Sequence, residues 1–136
     1  MSFTYHRTIH FKDTDAAGVV YFSNALSMCH EAYEALLETL TIDLQTYFSG
    51  KTIAVPILHA EIDFFRPMHC GEQIYITVSG TLHQESEFTL KYEIYRNDLE
   101  SERPIAKGNT RHVVIDIMTR KRSSLPPELS QWLANQ

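Results

Sequence analysis

Apolar positions alternate along most of this chain and change period once. Tyr5 to Phe11 alternates and is rich in aromatic and β-branched residues, which predicts a strand. Lys12-Asp13-Thr14-Asp15-Ala16-Ala17-Gly18 follows as a polar loop, with a glycine where φ can turn positive. From Ser23 or Asn24, each suited to cap a helix, Leu26, Cys29, Tyr33, Leu36, Leu37 and Leu40 recur at helical spacing, with the small Ala25 and Ala32 alongside. The spacing predicts one long helix over residues 24–40 and a short second helix over 43–48, capped by Thr41 and stopped by Gly50. The remainder is strand-like. Residues 53–65 set Leu58, Ala60, Ile62 and Phe64 against His59, Glu61 and Asp63, and Pro67 ends the run. Ile74, Ile76 and Val78 mark a strand closing at Gly80; Phe88, Leu90, Tyr92 and Ile94 mark another, ended by Asn97-Asp98; residues 106–117 form the last. One terminal turn is expected around Leu129 to Leu133, after Pro126-Pro127. A strand, a long helix and then closely spaced strands make an α+β pattern, so a five-stranded, mostly antiparallel sheet with its helix on one face is expected. Such a sheet has exposed edges, and edge-to-edge pairing into a dimer would remove one of them.

At 136 residues the chain is expected to form a single domain over 1–136, since domains commonly span ~100–150 residues. Hydrophobic residues at 43% and charged ones at 21% are those of a globular protein. Twelve basic against seventeen acidic residues give a formal charge of −5, which argues against nucleic-acid binding through bulk positive charge. A small anionic ligand on a local basic patch remains compatible. No apolar run approaches the roughly 18 residues that span a bilayer, and Met1 to Arg7 lacks the apolar core of a signal peptide. Cys29 and Cys70 lie in different apolar segments, so the expectation is a cytoplasmic protein with two free thiols.

The segment from Phe11 to Asn24 carries the chemistry. It places Asp13 and Asp15 in a loop, then Gly18, then an apolar entry into the helix. A helix start offers unpaired N–H donors and partial positive charge suited to an oxyanion, while a carboxylate facing it can act as base or nucleophile on a carbonyl held between them. Capping is the plainer role for Asp and Asn at such a place. Metal readings fail on composition. Asp13-x-Asp15-x-x-Gly18 opens like a calcium loop, but Ala17 and Asn24 stand where side-chain ligands are required. Cys29-His30-Glu31 lacks the second histidine of a zinc helix, since Glu34 occupies its place. There is no G-x-S-x-G elbow and no phosphate-binding loop, so no metal and no cofactor are expected.

Asp13-Thr14-Asp15-Ala16-Ala17-Gly18-Val19-Val20-Tyr21-Phe22-Ser23-Asn24 resembles the D-x-D-x-x-G-[VI]-V-[YF]-[YF]-x-[NR] signature of the 4-hydroxybenzoyl-CoA thioesterase family of hotdog-fold enzymes. Glu61-Ile62-Asp63-Phe64-Phe65-Arg66-Pro67 is similar to the family's strand ending in proline, and His112 to Asp116 with Thr119-Arg120-Lys121 to its final strand and turn. These blocks keep the family's order from about Tyr5 to Pro127. Met28 to Glu34, Leu58 to Phe65 and Met68 to Gly71 most resemble one branch, the cyanobacterial 1,4-dihydroxy-2-naphthoyl-CoA hydrolases of phylloquinone biosynthesis. The resemblance implies a hotdog fold, a sheet wrapped around one central helix, with sites at the boundary of a homodimer or homotetramer. It implies Asp15 as base or nucleophile, the Phe22 backbone N–H as oxyanion donor and a loop-bonding role for Asp13. A lone carboxylate suffices for a thioester, because a thiolate with a conjugate acid of pKa ~8.5 leaves with little acid assistance.

An acyl-CoA substrate would bring phosphates and an aromatic group. Arg120-Lys121-Arg122 is the densest basic cluster and a candidate for the phosphates, against its reading as a solvated turn. Gly18, Val19, Tyr21 and His59 are candidate substrate contacts, and Tyr21, Phe22, Tyr33 and Phe64 candidate walls of an apolar slot, against ordinary core or surface roles. Two alternatives stay open: a thioesterase for 4-hydroxybenzoyl-CoA or short-chain acyl-CoA, and a non-catalytic acyl-CoA-binding hotdog module.

Overall fold

A computed structural model describes residues 2–98 and 103–136. The elements run β1 (Phe3–Thr8), α1 (Phe22–Thr39), α2 (Leu44–Tyr47), β2 (Ile53–Ala54), β3 (Ile57–Phe64), β4 (Gln73–Gln84), β5 (Glu87–Arg96), β6 (Ala106–Val113), β7 (Ile115–Asp116) and α3 (Pro127–Ala134). Five strands form an antiparallel sheet in the order β1-β4-β5-β6-β3, and β2 pairs with β7 as a separate ribbon. The long helix lies against one face of that sheet, the hotdog architecture that the resemblance implies.

The alternation within β4, β5 and β6 explains the core. Ile74, Ile76, Val78, Phe88, Leu90, Tyr92, Ile94 and Ala106 face inward and are buried, as are Ala25, Met28, Cys29, Ala32, Tyr33, Leu36 and Leu37 of α1. Leu26 and Leu40, expected on the same helical stripe, are only half-buried. Each large apolar side chain fully buried here contributes about 1.5–3 kcal/mol of transfer free energy, so this face holds α1 to the sheet. Both cysteines are unpaired, Cys29 in the core and Cys70 on the surface.

Element boundaries depart from the expected ones for local reasons. Neither Ser23 nor Asn24 caps α1: Tyr21 holds the extended cap position with no side-chain bond, so Ser23 and Asn24 already lie in the first turn. Asp43, not Thr41, caps α2, its carboxylate accepting from the Thr46 amide at 3.0 Å. Thr41 instead turns the chain out of α1 at φ +61°. The expected strand over 53–65 divides at Val55-Pro56, where the chain steps from the ribbon to the sheet. The strand over 106–117 likewise breaks at Val114, whose amide donates to Ser86 O at 2.9 Å. Gly80 does not close β4. It lets α3 settle on the strand, since a Cβ there would stand 2.6 Å from Leu133 Cδ2.

β3 is the anomaly. It is an edge strand held only by β6, and every residue but Ile62 is exposed, with Leu58 at 52% and Phe64 at 44%. An edge presenting both unpaired backbone groups and apolar side chains is a template for another strand.

Candidate active site

The loop before α1 is built around Asp13. Its buried carboxylate accepts from the His10 amide at 2.8 Å and from Arg7 Nη1 at 3.1 Å. Burial works to raise its pKa, but the His10 amide and the Arg7 guanidinium outweigh burial and hold it below the usual carboxylate value. Its backbone carbonyl accepts from the Tyr21 amide and from Asn24 Nδ2, each at 3.0 Å, which sews the loop to the start of α1.

Asp15 has the opposite surroundings. It opens a tight turn in which its amide donates to Val19 O at 2.9 Å, Thr14 bridges Val20, and the Gly18 amide returns to Asp15 O at 3.0 Å. Gly18 sits at φ +82°, a conformation that side chains other than glycine rarely take, so the turn needs it. The Asp15 side chain is exposed; Oδ1 accepts from the Ala17 amide at 2.8 Å, and Oδ2 has no partner among the described residues. The Val20 amide donates to Met68 O at 2.9 Å and pins the turn to the segment after β3.

α1 begins at Phe22, so the Phe22 amide is the first of the helix and has no acceptor among the described residues. It carries the partial positive charge of an 18-residue helix. Beside it opens a cleft of about 320 Å³ walled by Val19, Phe22, Phe64, Phe65, Arg66 and Met68. One apolar slot, one open amide and one exposed carboxylate on the adjoining turn can hold an acyl group, polarise its carbonyl and deliver a nucleophile.

Residues 9–133 match the thioesterase-like superfamily. The chain belongs to that superfamily. It is 51% identical over 130 residues to a 1,4-dihydroxy-2-naphthoyl-CoA hydrolase of Crocosphaera subtropica, covering 96% of this chain and 94% of that one. A second hydrolase of that name, from Gloeothece citriformis, is 50% identical over 130 residues, covering 96% of this chain and 90% of that one. Among solved structures, a 1,4-dihydroxy-2-naphthoyl-CoA thioesterase from Synechocystis superposes with a TM-score of 0.90 at 39% identity, covering 99% and 97% of the two chains. A gentisyl-coenzyme A thioesterase superposes at 0.79 with 25% identity, covering 96% and 98%.

In this thioesterase the residues expected at the site fall in different places. Asp15, Gly18, Val19 and Phe22 share the turn and the helix start, and Phe64 closes the cleft from β3. Tyr21 is half exposed and leans on Phe22 with ring centroids 4.8 Å apart. Tyr33 is not a cleft wall: it is fully buried and its hydroxyl pairs with that of Tyr47. His59 lies with Glu61 on one face of β3 while Phe64, at the opposite phase of the alternation, faces the cleft. Arg120, Lys121 and Arg122 follow β7, where Arg122 Nη1 donates to Glu87 Oε1 at 3.3 Å. Phe65, Arg66 and Met68 are cleft residues that pattern reading passed over. The adjacent Phe64-Phe65 pair held a signal, since neighbouring strand residues point to opposite faces and both cannot join one core.

Proposed function

We propose that this chain hydrolyses 1,4-dihydroxy-2-naphthoyl-CoA to 1,4-dihydroxy-2-naphthoate and CoA, as a cytoplasmic homodimer or a homotetramer built from such dimers, serving phylloquinone biosynthesis. What supports the chemistry is an exposed Asp15 carboxylate, its Oδ2 without a partner among the described residues, on the turn that leads into α1, whose open Phe22 amide stands beside an apolar cleft. Substrate and pathway rest on the likeness to the cyanobacterial hydrolases.

In this reading the naphthoyl ring enters the cleft and the thioester carbonyl points at the Phe22 amide. A water oxygen, deprotonated by Asp15, forms a bond to the carbonyl carbon, and the C–S bond breaks as the tetrahedral oxyanion collapses. Alternatively the Asp15 carboxylate attacks directly, expels CoA thiolate and leaves an anhydride that water then opens. The thiolate takes its proton from solvent. Trapping the anhydride separates the two routes. Asp15→Asn is expected to lower turnover by at least ~10²-fold while CoA-ester binding persists; an unchanged rate removes the mechanism. Thiol release across naphthoyl, benzoyl and short aliphatic CoA esters is expected to favour naphthoyl. Turnover of none of them would leave only an acyl-CoA-binding module.

The dimer reading explains the placement of the basic turn. Val113 N donates to Pro56 O and β7 pairs with β2, so Arg120–Arg122 lie at the Ile57 end of β3, whereas the cleft lies at its Phe64 end. The eight residues of β3 separate the two by roughly 25 Å. If β3 pairs antiparallel with a second copy about a two-fold axis, the partner's basic turn comes to this chain's cleft and the exposed Ile57 and Leu58 approach the partner's Phe64.

A further inference from the structure

We infer that Arg7 is a positioning residue for the reaction proposed above: through Asp13 it fixes where the Asp15 turn stands relative to the first amide of α1. Arg7 is on edge strand β1, yet its side chain is only 7% exposed. Its guanidinium spans two carboxylates on separate elements, Nη1 reaching Asp13 Oδ2 at 3.1 Å and Nε reaching Glu31 Oε1 at 3.0 Å. Glu31 is held in turn by the Tyr5 hydroxyl at 3.1 Å. One side of the bridge is therefore the loop that carries Asp15, and the other is the helix whose N-terminus carries the Phe22 amide.

Fold stability alone does not account for a charge there. Desolvating a guanidinium is costly, and apolar side chains of similar volume often serve stability as well or better. What an apolar side chain cannot do is hold two carboxylates in register, a task the planar fork of arginine suits. Without Arg7 the Asp13 carboxylate keeps, among the described residues, the His10 amide alone. The peptide that receives the Tyr21 amide and Asn24 Nδ2 then loses its tie to β1 and to Glu31 of α1 and is held only through those two bonds and the His10 contact among the described residues, and Asp15 lies two residues further along the loop. A displacement of about 1 Å at a reacting group can cost about 10²-fold in rate. Arg7 is not a wall of the cleft, so its loss leaves the substrate contacts there in place.

The experiment compares kcat and KM for Arg7→Met, Arg7→Lys, Asn24→Ala and wild type on 1,4-dihydroxy-2-naphthoyl-CoA, with folding checked by circular dichroism and thermal melting. Arg7→Met is expected to lower kcat by ~10–100-fold with KM within about threefold of wild type. Arg7→Lys recovers part of that loss, because an ammonium group can reach one carboxylate but not fork between two. Combining Arg7→Met with Asp13→Asn is expected to cost no more than the worse single change, since both cut one linkage. A folded Arg7→Met chain with wild-type kcat overturns the inference, as does activity that falls only with the folded fraction. If Arg7→Met does not fold, Arg7→Lys decides: it keeps a cation at that place but not the fork between Asp13 and Glu31, and a wild-type kcat there overturns the inference, with Asn24→Ala showing what loss of one of the Asp13 bonds to α1 costs by itself. Wild-type turnover keeps this separate from the parent reading: none on any CoA ester removes the hydrolase reading and the inference with it, while turnover that survives Arg7→Met removes the inference alone.

Discussion

His112 has no exposed surface on the inner side of β6, where its ring stacks on Phe88 with centroids 4.6 Å apart. Its Nε2 meets Thr110 Oγ1 at 2.7 Å, Thr110 Oγ1 meets the Tyr92 hydroxyl at 2.9 Å, and Nδ1 has no partner among the described residues. The cheaper tautomer puts the proton on Nε2 as donor to Thr110, because an unpaired buried lone pair costs less than an unpaired buried N–H. Burial, with His30 adding in the same direction, pushes the His112 pKa down to about 4. The folded protein therefore binds fewer protons here than the unfolded chain. The stability held by neutral His112 is complete above the unfolded value of about 6.5 and drains away as the pH falls toward about 4, amounting to about 3 kcal/mol across that window. Urea unfolding of wild type and His112→Phe at pH 7, 5.5 and 4 checks this. The variant keeps a ring on Phe88 and is expected to lose distinctly less stability on acidification, and parallel pH dependences would contradict the assignment. The two loop aspartates divide by their surroundings: Asp13 is buried and doubly bonded, whereas Asp15 is exposed, with no partner on Oδ2 among the described residues.

Among the elements, β3 pairs with β6 and with no other strand among the described residues, and at Gly108 the two backbones leave no room for a side chain. A Cβ at Gly108 would stand 2.8 Å from Glu61 O, a backbone atom that cannot swing away. Gly108→Ala is expected to push β3 outward at a cost of about 1–3 kcal/mol, visible in urea unfolding, and to raise the protein concentration needed for self-association. Wild-type stability in that variant would mean that β3 moves freely against β6. How legible each element was in the sequence depends on how local its cause is. Apolar period exposed α1 and the inward faces of β4 and β5, because helix and strand phases follow from neighbouring residues alone. The true start of α1 was not legible, because Asn24 spends its side chain on Asp13 O across the loop instead of capping its own helix. Nor could local pattern say which of Asp13 and Asp15 is buried, since the deciding group is Arg7 on β1. Glycine phase and loop polarity marked the Asp15 turn, and Phe64 was a candidate wall, but the rest of the opposite wall, Phe65 to Met68, arrives only through the folded sheet.

For the whole molecule, the decisive question is whether one chain holds a complete site. The cleft and the Asp15 turn lie at one end of β3 and the basic turn at the other, and Arg120 and Lys121 have no ion pair among the described residues. If the catalytic carboxylate comes from one chain and the phosphate-binding turn from its partner, two different defective chains should rescue each other. One chain carries Asp15→Asn; the other carries Arg120→Asn, Lys121→Ser and Arg122→Ser. In a mixed dimer the second chain supplies an intact Asp15 and the first supplies an intact basic turn, so one of its two sites is whole. Dimers reassembled at random from equal amounts are half mixed, so about a quarter of wild-type activity is expected at sub-saturating substrate, well above either parent alone. Adding Leu58→Glu to both chains sets a carboxylate where that pairing brings the partner's apolar Phe64, and it is expected to abolish the gain while sedimentation shifts toward monomer. Activity that equals the average of the unmixed parents, despite mixed dimers confirmed by mass, would place turn and carboxylate in separate functions. In that event the basic turn is a solvated surface and the phosphates are met elsewhere.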